Sequence, residues 1–198
     1  ISGDANLENQ KQILKTYHLA EITIKKLNLV TSYFKHGSIQ TVNQYKNSPF
    51  DVKFDSTHLQ LAGVEFFLTP IKNNQFSLSF ECKDQNTYNL QTDLKNKKLQ
   101  ASLKKKEIHN FGDTIETDYY SFTIEKTEFF TDKSIEDETE YSFLLHSLNN
   151  LTSKYKKSLK VETAAKDGTV LRLTMEGHTH KKIVDYLNKL AELYILQG

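Results

Sequence analysis

The chain has no tryptophan, one cysteine, one methionine, two prolines and one arginine in 198 residues. Each scarcity closes a class of explanation. A lone Cys82 cannot form an intrachain disulfide, which excludes a disulfide-stapled scaffold, although it does not decide the compartment. With Arg172 as the only arginine, the bidentate fork that reads guanine or grips phosphate is missing, and nucleic-acid recognition loses ground. A net charge of +1 leaves no global field to draw DNA or an anionic membrane. No apolar run approaches the ~20 residues needed to span a bilayer, and no signal-peptide pattern opens the chain. The segment is expected to be soluble, and its abrupt start at "ISGDANLENQ" reads as an excerpt of something longer. There is no phosphate-cradling glycine loop, no G-x-S-x-G and no kinase-like motif.

What is present is a core's worth of apolar residues, 37% of the chain, enough for one domain or two small lobes. Ile13, Tyr17, Ala20, Ile24 and Leu27 recur at three- and four-residue spacing and predict a first helix, with Asp4, Asn6 and Asn9 as candidate caps. Leu27, Leu29 and Tyr33 then suggest a short extended segment. Between residues 50 and 130 the period becomes two. "FDVKF", "GVEFFLTP", "QFSLSFE", "TYNLQTDL", "LQASL" and "YSFTIEKTEFF" are strand candidates, with Asn73-Asn74 as a hairpin signal and Lys95 to Lys98 as a polar turn. Regular spacing implies an antiparallel sandwich or barrel-like lobe.

Ser134 to Glu140 reads as an acidic connector that starts a second helix, striped by Leu144, Leu148, Leu151 and Tyr155. A hairpin around Asp167-Gly168 follows, with Leu171, Leu173 and Met175 alternating. Thr179 then caps a third helix carrying Ile183, Leu187, Leu190 and Tyr194. The expected fold is α+β. Terminal helices pack on a small sheet that includes the late hairpin (residues 1–48 and 131–198), and an antiparallel β-rich lobe is inserted at 49–130. The stretch "QYKNSPFDVKFD" marks the joint, because Pro49 forces Ser48 towards extended geometry and suits the start of an edge strand.

Few residues suggest chemistry. His178 and His180 lack a third ligand at metal spacing and read as a loop before a helix. Glu136, Asp137, Glu138 and Glu140 lack a calcium loop's glycine and spacing and read as a solvated helix start. Lys95, Lys97, Lys98, Lys104, Lys105 and Lys106 can attract an anionic glycan or headgroup, but also serve as a lysine-rich edge that blocks sheet aggregation. Cys82 has no nearby base in the sequence. Asn150-Leu151-Thr152 fits a glycosylation pattern but falls in a predicted helix. Ser48 reads as architecture, not a nucleophile. No catalytic, cofactor or metal residue is assigned.

Several stretches together resemble one family. "NLENQKQILKTYHLAEITIKKLNLVTSYF", "YKNSPFDVKFD", "NFGDTIETDYYSFTIEK" and "YKKSLKVETAAKDGTVLRLTMEGHTHKKIVDYLNKLAELYI" are similar, in that order, to the periplasmic domain of Wzz-like polysaccharide co-polymerases. The Wzc-like tyrosine autokinases of Bacteroidetes are the most similar group. The joint matches a Y-x-x-S-P-F-x-V pattern. Lys182-Ile183-Val184 and His178-Thr179-His180 depart from the family's usual residues at the last helix.

The resemblance implies a non-catalytic, membrane-proximal α/β lobe with a β-rich insertion, on the periplasmic side of the bacterial inner membrane. It implies ring-like homo-oligomers in the full-length protein, membrane attachment only through flanking helices, and control of capsular or exopolysaccharide chain length and export. The polysaccharide polymerase and the growing glycan are the implied partners, with no nucleic acid. Any tyrosine kinase domain lies outside this segment. Two other readings stand beside it. One is a free-standing carbohydrate-binding β-sandwich using Tyr119 or Tyr88 against sugar rings. The other is a hydrolase with an unrecognised carboxylate pair.

Overall fold

The computed structural model describes residues 2–98, 103–165 and 169–197. In chain order, α1 (Ser2–Leu14) and α2 (Tyr17–Lys26) precede β1 (Thr31–His36), β2 (Thr41–Asn43) and β3 (Phe50–Phe54). Then come β4 (Leu59–Gln60), β5 (Glu65–Ile71), β6 (Gln75–Cys82), β7 (Asn86–Asn89) and β8 (Leu94–Lys98). β9 (Leu103–Asn110), β10 (Thr114–Thr117) and β11 (Tyr120–Lys126) complete the strand-rich middle. The four-residue α3 (Lys133–Glu136), β12 (Tyr141–Leu145) and α4 (Leu148–Ser158) follow, then β13 (Lys160–Thr163), β14 (Leu171–Thr174) and α5 (His180–Gln197). The fold is mixed α+β with antiparallel sheets. No described helix is long and apolar enough to cross a membrane.

Two compact units emerge. One joins the residues up to Val30 to those from Leu148 onward; the other runs from Thr31 to Ser147. These limits differ from the expected 1–48/131–198 and 49–130 division. The reason is β12, which pairs antiparallel with β1 on one side and β5 on the other. Segments 31–48 and 131–147 are thereby tied to the β-rich unit, and the joint at Pro49 lies inside it.

In the helical unit, α2 packs against α4 and α5. Leu19, Ala20 and Ile24 are buried, as are Leu151, Tyr155, Tyr186 and Leu190, and the Tyr155 and Tyr186 rings meet at 4.6 Å. The single first helix expected from the stripe is two helices. Thr16, extended at φ −66° and ψ 148°, caps α2 by accepting from the Leu19 amide. Lys15 and Thr16 close α1 with three-residue-span bonds to Gln12 and Ile13 carbonyls. A hydroxyl that offers the backbone a cap competes with helix continuation, while the apolar stripe runs on through the break. Asp4, Asn6 and Asn9 lie within α1 and do not precede it. The late hairpin is formed by β13 and β14; its Asp167-Gly168 turn lies outside the described residues.

The β-rich unit contains a six-stranded sheet ordered β2-β1-β12-β5-β6-β9 and two three-stranded sheets, β10-β11-β3 and β4-β7-β8. Strict alternation sends Phe66 and Leu68 of β5, and Phe76, Leu78 and Phe80 of β6, inward. There they meet Tyr120, Phe122 and Ile124 of β11. Phe66 is the centre: its ring stacks on Phe143 at 5.0 Å and meets Phe122 and Tyr120 edge-on at 5.3 and 5.5 Å. Asn73 and Asn74, both at φ near +60°, make the tight turn between β5 and β6. Pro70 lies past Leu68, the last β5 residue to pair with β12 through Tyr141.

Two expectations fail here, and one strand goes beyond them. Leu144 belongs to a strand, not to the second helix, because Tyr141, Phe143 and Leu145 alternate into the core. Lys95 to Lys98 is strand β8, not a turn. Lysine-rich β9 pairs along all of β6, although its polarity hid it from the sequence pattern. Most of the "LQASL" strand candidate lies outside the described residues. Replacing Phe66 by Ala should lower unfolding free energy by about 3–5 kcal/mol. Tyr119→Ala, on a half-buried residue packed at the margin, should cost less than half as much. Urea denaturation of both variants checks this, and equal losses would contradict a core centred on Phe66.

Candidate functional site

The alternation that fills the core also fixes the opposite face of the six-stranded sheet. Register places Phe34, Ser142, Phe67, Ser79 and Lys106 in one row across five strands. Thr69, Ser77 and Ile108 lie in the next.

At its β1–β12 side sits a polar cluster. The Ser142 hydroxyl donates to Glu65 Oε1 at 2.5 Å, and its oxygen lies 2.8 Å from His36 Nε2. Because the one hydroxyl proton is committed to Glu65, the imidazole Nε2–H donates to Ser142 Oγ. His36 Nδ1 is 3.0 Å from Thr41 Oγ1, and its ring lies against Phe67. The residue types are those of a hydrolytic triad, but the order is His–Ser–Glu, with the histidine giving a proton to the serine and not taking one. Ser142 is also 0% exposed, so no substrate can reach it. The cluster joins β1, β2, β12 and β5 and is structural.

Towards β9 the same face opens into a groove of about 730 Å³. Its floor is Thr69, Ser77 and Ser79 with Ile71 and Ile108; Lys72, Lys106 and Glu107 line it, as do Ile135, Glu138 and Glu140 from the α3–β12 segment. Glu138 follows the end of α3 at φ +47°, the left-handed position where a helix is usually ended by glycine. Three carboxylates line the groove, Glu138 and Glu140 from one short segment and Glu107 from β9.

A second cluster runs along β9, where Glu107 also borders the groove. Glu107 is 3.4 Å from Lys105 Nζ and 3.5 Å from His109 Nε2. Burial, and then the Glu107 charge, push the neighbouring Tyr120 hydroxyl up to about 12. Burial likewise pushes the Cys82 thiol up, the wrong direction for a nucleophile.

The remaining sequence candidates disperse. His178 and His180 are exposed, and no group of three metal-ligating side chains exists among the described residues. Glu136 and Asp137 face solvent, while Glu138 and Glu140 join the groove. Tyr88 and Tyr119 pack against the core. Ser48 is buried, its hydroxyl bonded to the Phe50 carbonyl and amide. Asn150 lies on α4. Thr69, Ser77, Ser79 and Lys72 were not singled out in the sequence; their signal is the off-phase polar position in strands read for their apolar phase. No family model matches the chain, and no curated protein matches it.

Two outcomes follow. Fluorophosphonate probes should leave Ser142 unlabelled in the folded chain, and Ser142→Ala should cost about 1–3 kcal/mol by stranding Glu65 and His36; labelling at Ser142 would reverse this assignment. In the helical unit, burial and then the Lys154 charge lower the Lys182 amine from 10.5 to about 8. Between those values the unfolded chain binds the extra proton, so this residue's contribution to stability rises with pH. Lys182→Met should therefore be more stable than the parent at neutral pH, with the gain shrinking from pH 8 towards 10.5. A gain that grew with pH would contradict the burial.

Proposed function

We propose that the chain is the non-catalytic periplasmic module of a polysaccharide co-polymerase, acting with its membrane-anchored remainder to set the length of an exported polysaccharide. The observation that carries this reading is the chain order of the two units. The first helices and the last hairpin and helix make one unit, and α1 touches α5. A continuous β-rich segment is inserted between them. That arrangement brings both ends of the chain into one unit, as suits a module tethered through both flanks, and the ordered sequence resemblance points the same way. Ring contacts in such an assembly are heterologous, so they close only if the rotation between neighbours fits. Ring size and much of the avidity belong to the anchored protein.

The joint supports the same reading as architecture. Tyr33 donates its hydroxyl to Asp51 at 2.8 Å and accepts from the Val52 amide at 3.0 Å. Thr127 bonds the Pro49 carbonyl through its amide and the Ser48 carbonyl through its hydroxyl. The Y-x-x-S-P-F-x-V stretch thus fixes the start of β3 to β1 and to the end of β11. The second reading, a carbohydrate-binding β module, is favoured by the hydroxyl-floored groove on the outer sheet face.

Deleting the reading frame that encodes this chain from its host should broaden or abolish the modal length of a surface polysaccharide resolved on gels. Restoring the full-length frame should recover it. An unchanged length distribution in the deletion strain would remove the co-polymerase reading.

A further inference from the structure

We infer that the groove on the outer face of β5, β6 and β9 binds a linear, uncharged, polyhydroxylated chain, that is, a neutral carbohydrate polymer lying across the Thr69–Ser77–Ser79 floor. The class follows from what the lining can and cannot satisfy. The three floor hydroxyls each donate and accept, and none of them hydrogen-bonds another protein group among the described residues. Glu138, Glu140, Lys72 and Lys106 are likewise in no ion pair among those residues. The groove therefore offers acceptors, donors and hydroxyls in one open channel, with two ammonium groups and three carboxylates, of which Glu107 is 3.4 Å from Lys105 Nζ.

Other ligand classes fit less well. An anion or nucleic acid meets the carboxylates of Glu138 and Glu140, and a cation meets the two ammonium groups. An extended peptide seeks backbone partners, but the amides and carbonyls between β5, β6 and β9 are used within the sheet. A compact apolar ligand would strand the floor hydroxyls. Sugar hydroxyls satisfy hydroxyl, carboxylate and ammonium groups alike, while the C–H faces of the rings can rest on Ile71 and Ile108.

The assignment rests on the carbohydrate-handling reading above, and the two can fail separately. The 198-residue chain, labelled with ¹⁵N, is titrated with maltoheptaose, cellohexaose and mannohexaose at low and high salt. The expected result is amide shifts confined to residues 69–72, 77–79, 106–108 and 135–140 with at least one of these probes. Affinity should be nearly independent of salt, because an uncharged ligand carries no charge for the salt to screen. The Ser77→Val, Ser79→Val double variant keeps strand propensity and folds normally by circular dichroism, but binds at least tenfold more weakly. No groove shifts with any probe, binding unaltered in the double variant, or binding lost on raising salt would each overturn the inference. If the groove fails but deletion still alters polysaccharide length, the co-polymerase reading stands. If the groove binds and length is unchanged, the site stands and that reading falls.

Discussion

The β-rich unit depends on one pairing: β12 lying between β1 and β5. Its residues arrive after all the other strands of that unit, yet they occupy a central place in the largest sheet. On the inner side, Phe143 of β12 provides the flat partner for Phe66, and Phe50 reaches both Tyr141 and Phe143 edge-on. On the outer side, Ser142 bridges His36 and Glu65. Removing β12 would leave β1 and β5 with open edges, and an exposed edge is a site of mispairing. Burial of the aromatic cluster and order on the polar face therefore rise and fall together.

That pairing also shows why the sequence was legible in some places and opaque in others. β3, β5, β6 and β11 announce themselves because large apolar residues alternate with polar ones, as a sheet with one dry face requires. Asn73-Asn74 is legible for a different reason, since left-handed backbone at two successive residues favours asparagine. β12 was obscured because Leu144 stands four residues before Leu148, and that spacing imitates a helical stripe across a strand-to-helix junction. Thr16 had the reverse effect: the stripe was real, but a capping hydroxyl divided it into two helices. β9 is nearly all polar. It is held by its neighbour β6 and not by its own burial, so no hydrophobic period betrays it.

The groove was hidden for a related reason. Its floor uses the residues that a core-seeking reading sets aside, Thr69, Ser77 and Ser79, contributed by two strands. Glu138 and Glu140 were noticed, but as a solvated cluster, because only the short α3 segment packing beside β5 brings them to the sheet. Site residues contributed by several segments carry no local spacing. The His36–Ser142–Glu65 cluster illustrates the opposite risk, since suggestive residue types come together with the proton running the wrong way for nucleophilic attack.

The position of β12 has a consequence for synthesis. β1 emerges from the ribosome more than a hundred residues before the strand it must pair with, as the Thr31↔Leu145 register shows. The hairpin of β5 and β6 forms locally, but the β1-facing edge of β5 stays open until residues 141–145 appear. Long-range closure of this kind is slow and exposes sheet edges while it waits. The helical unit is later still, because α2 needs α4 and α5 as packing partners. The nascent chain thus stays unsealed until α5 is made, and its lysine-rich β9, at the opposite edge of the same sheet, is a safeguard against intermolecular pairing in that interval.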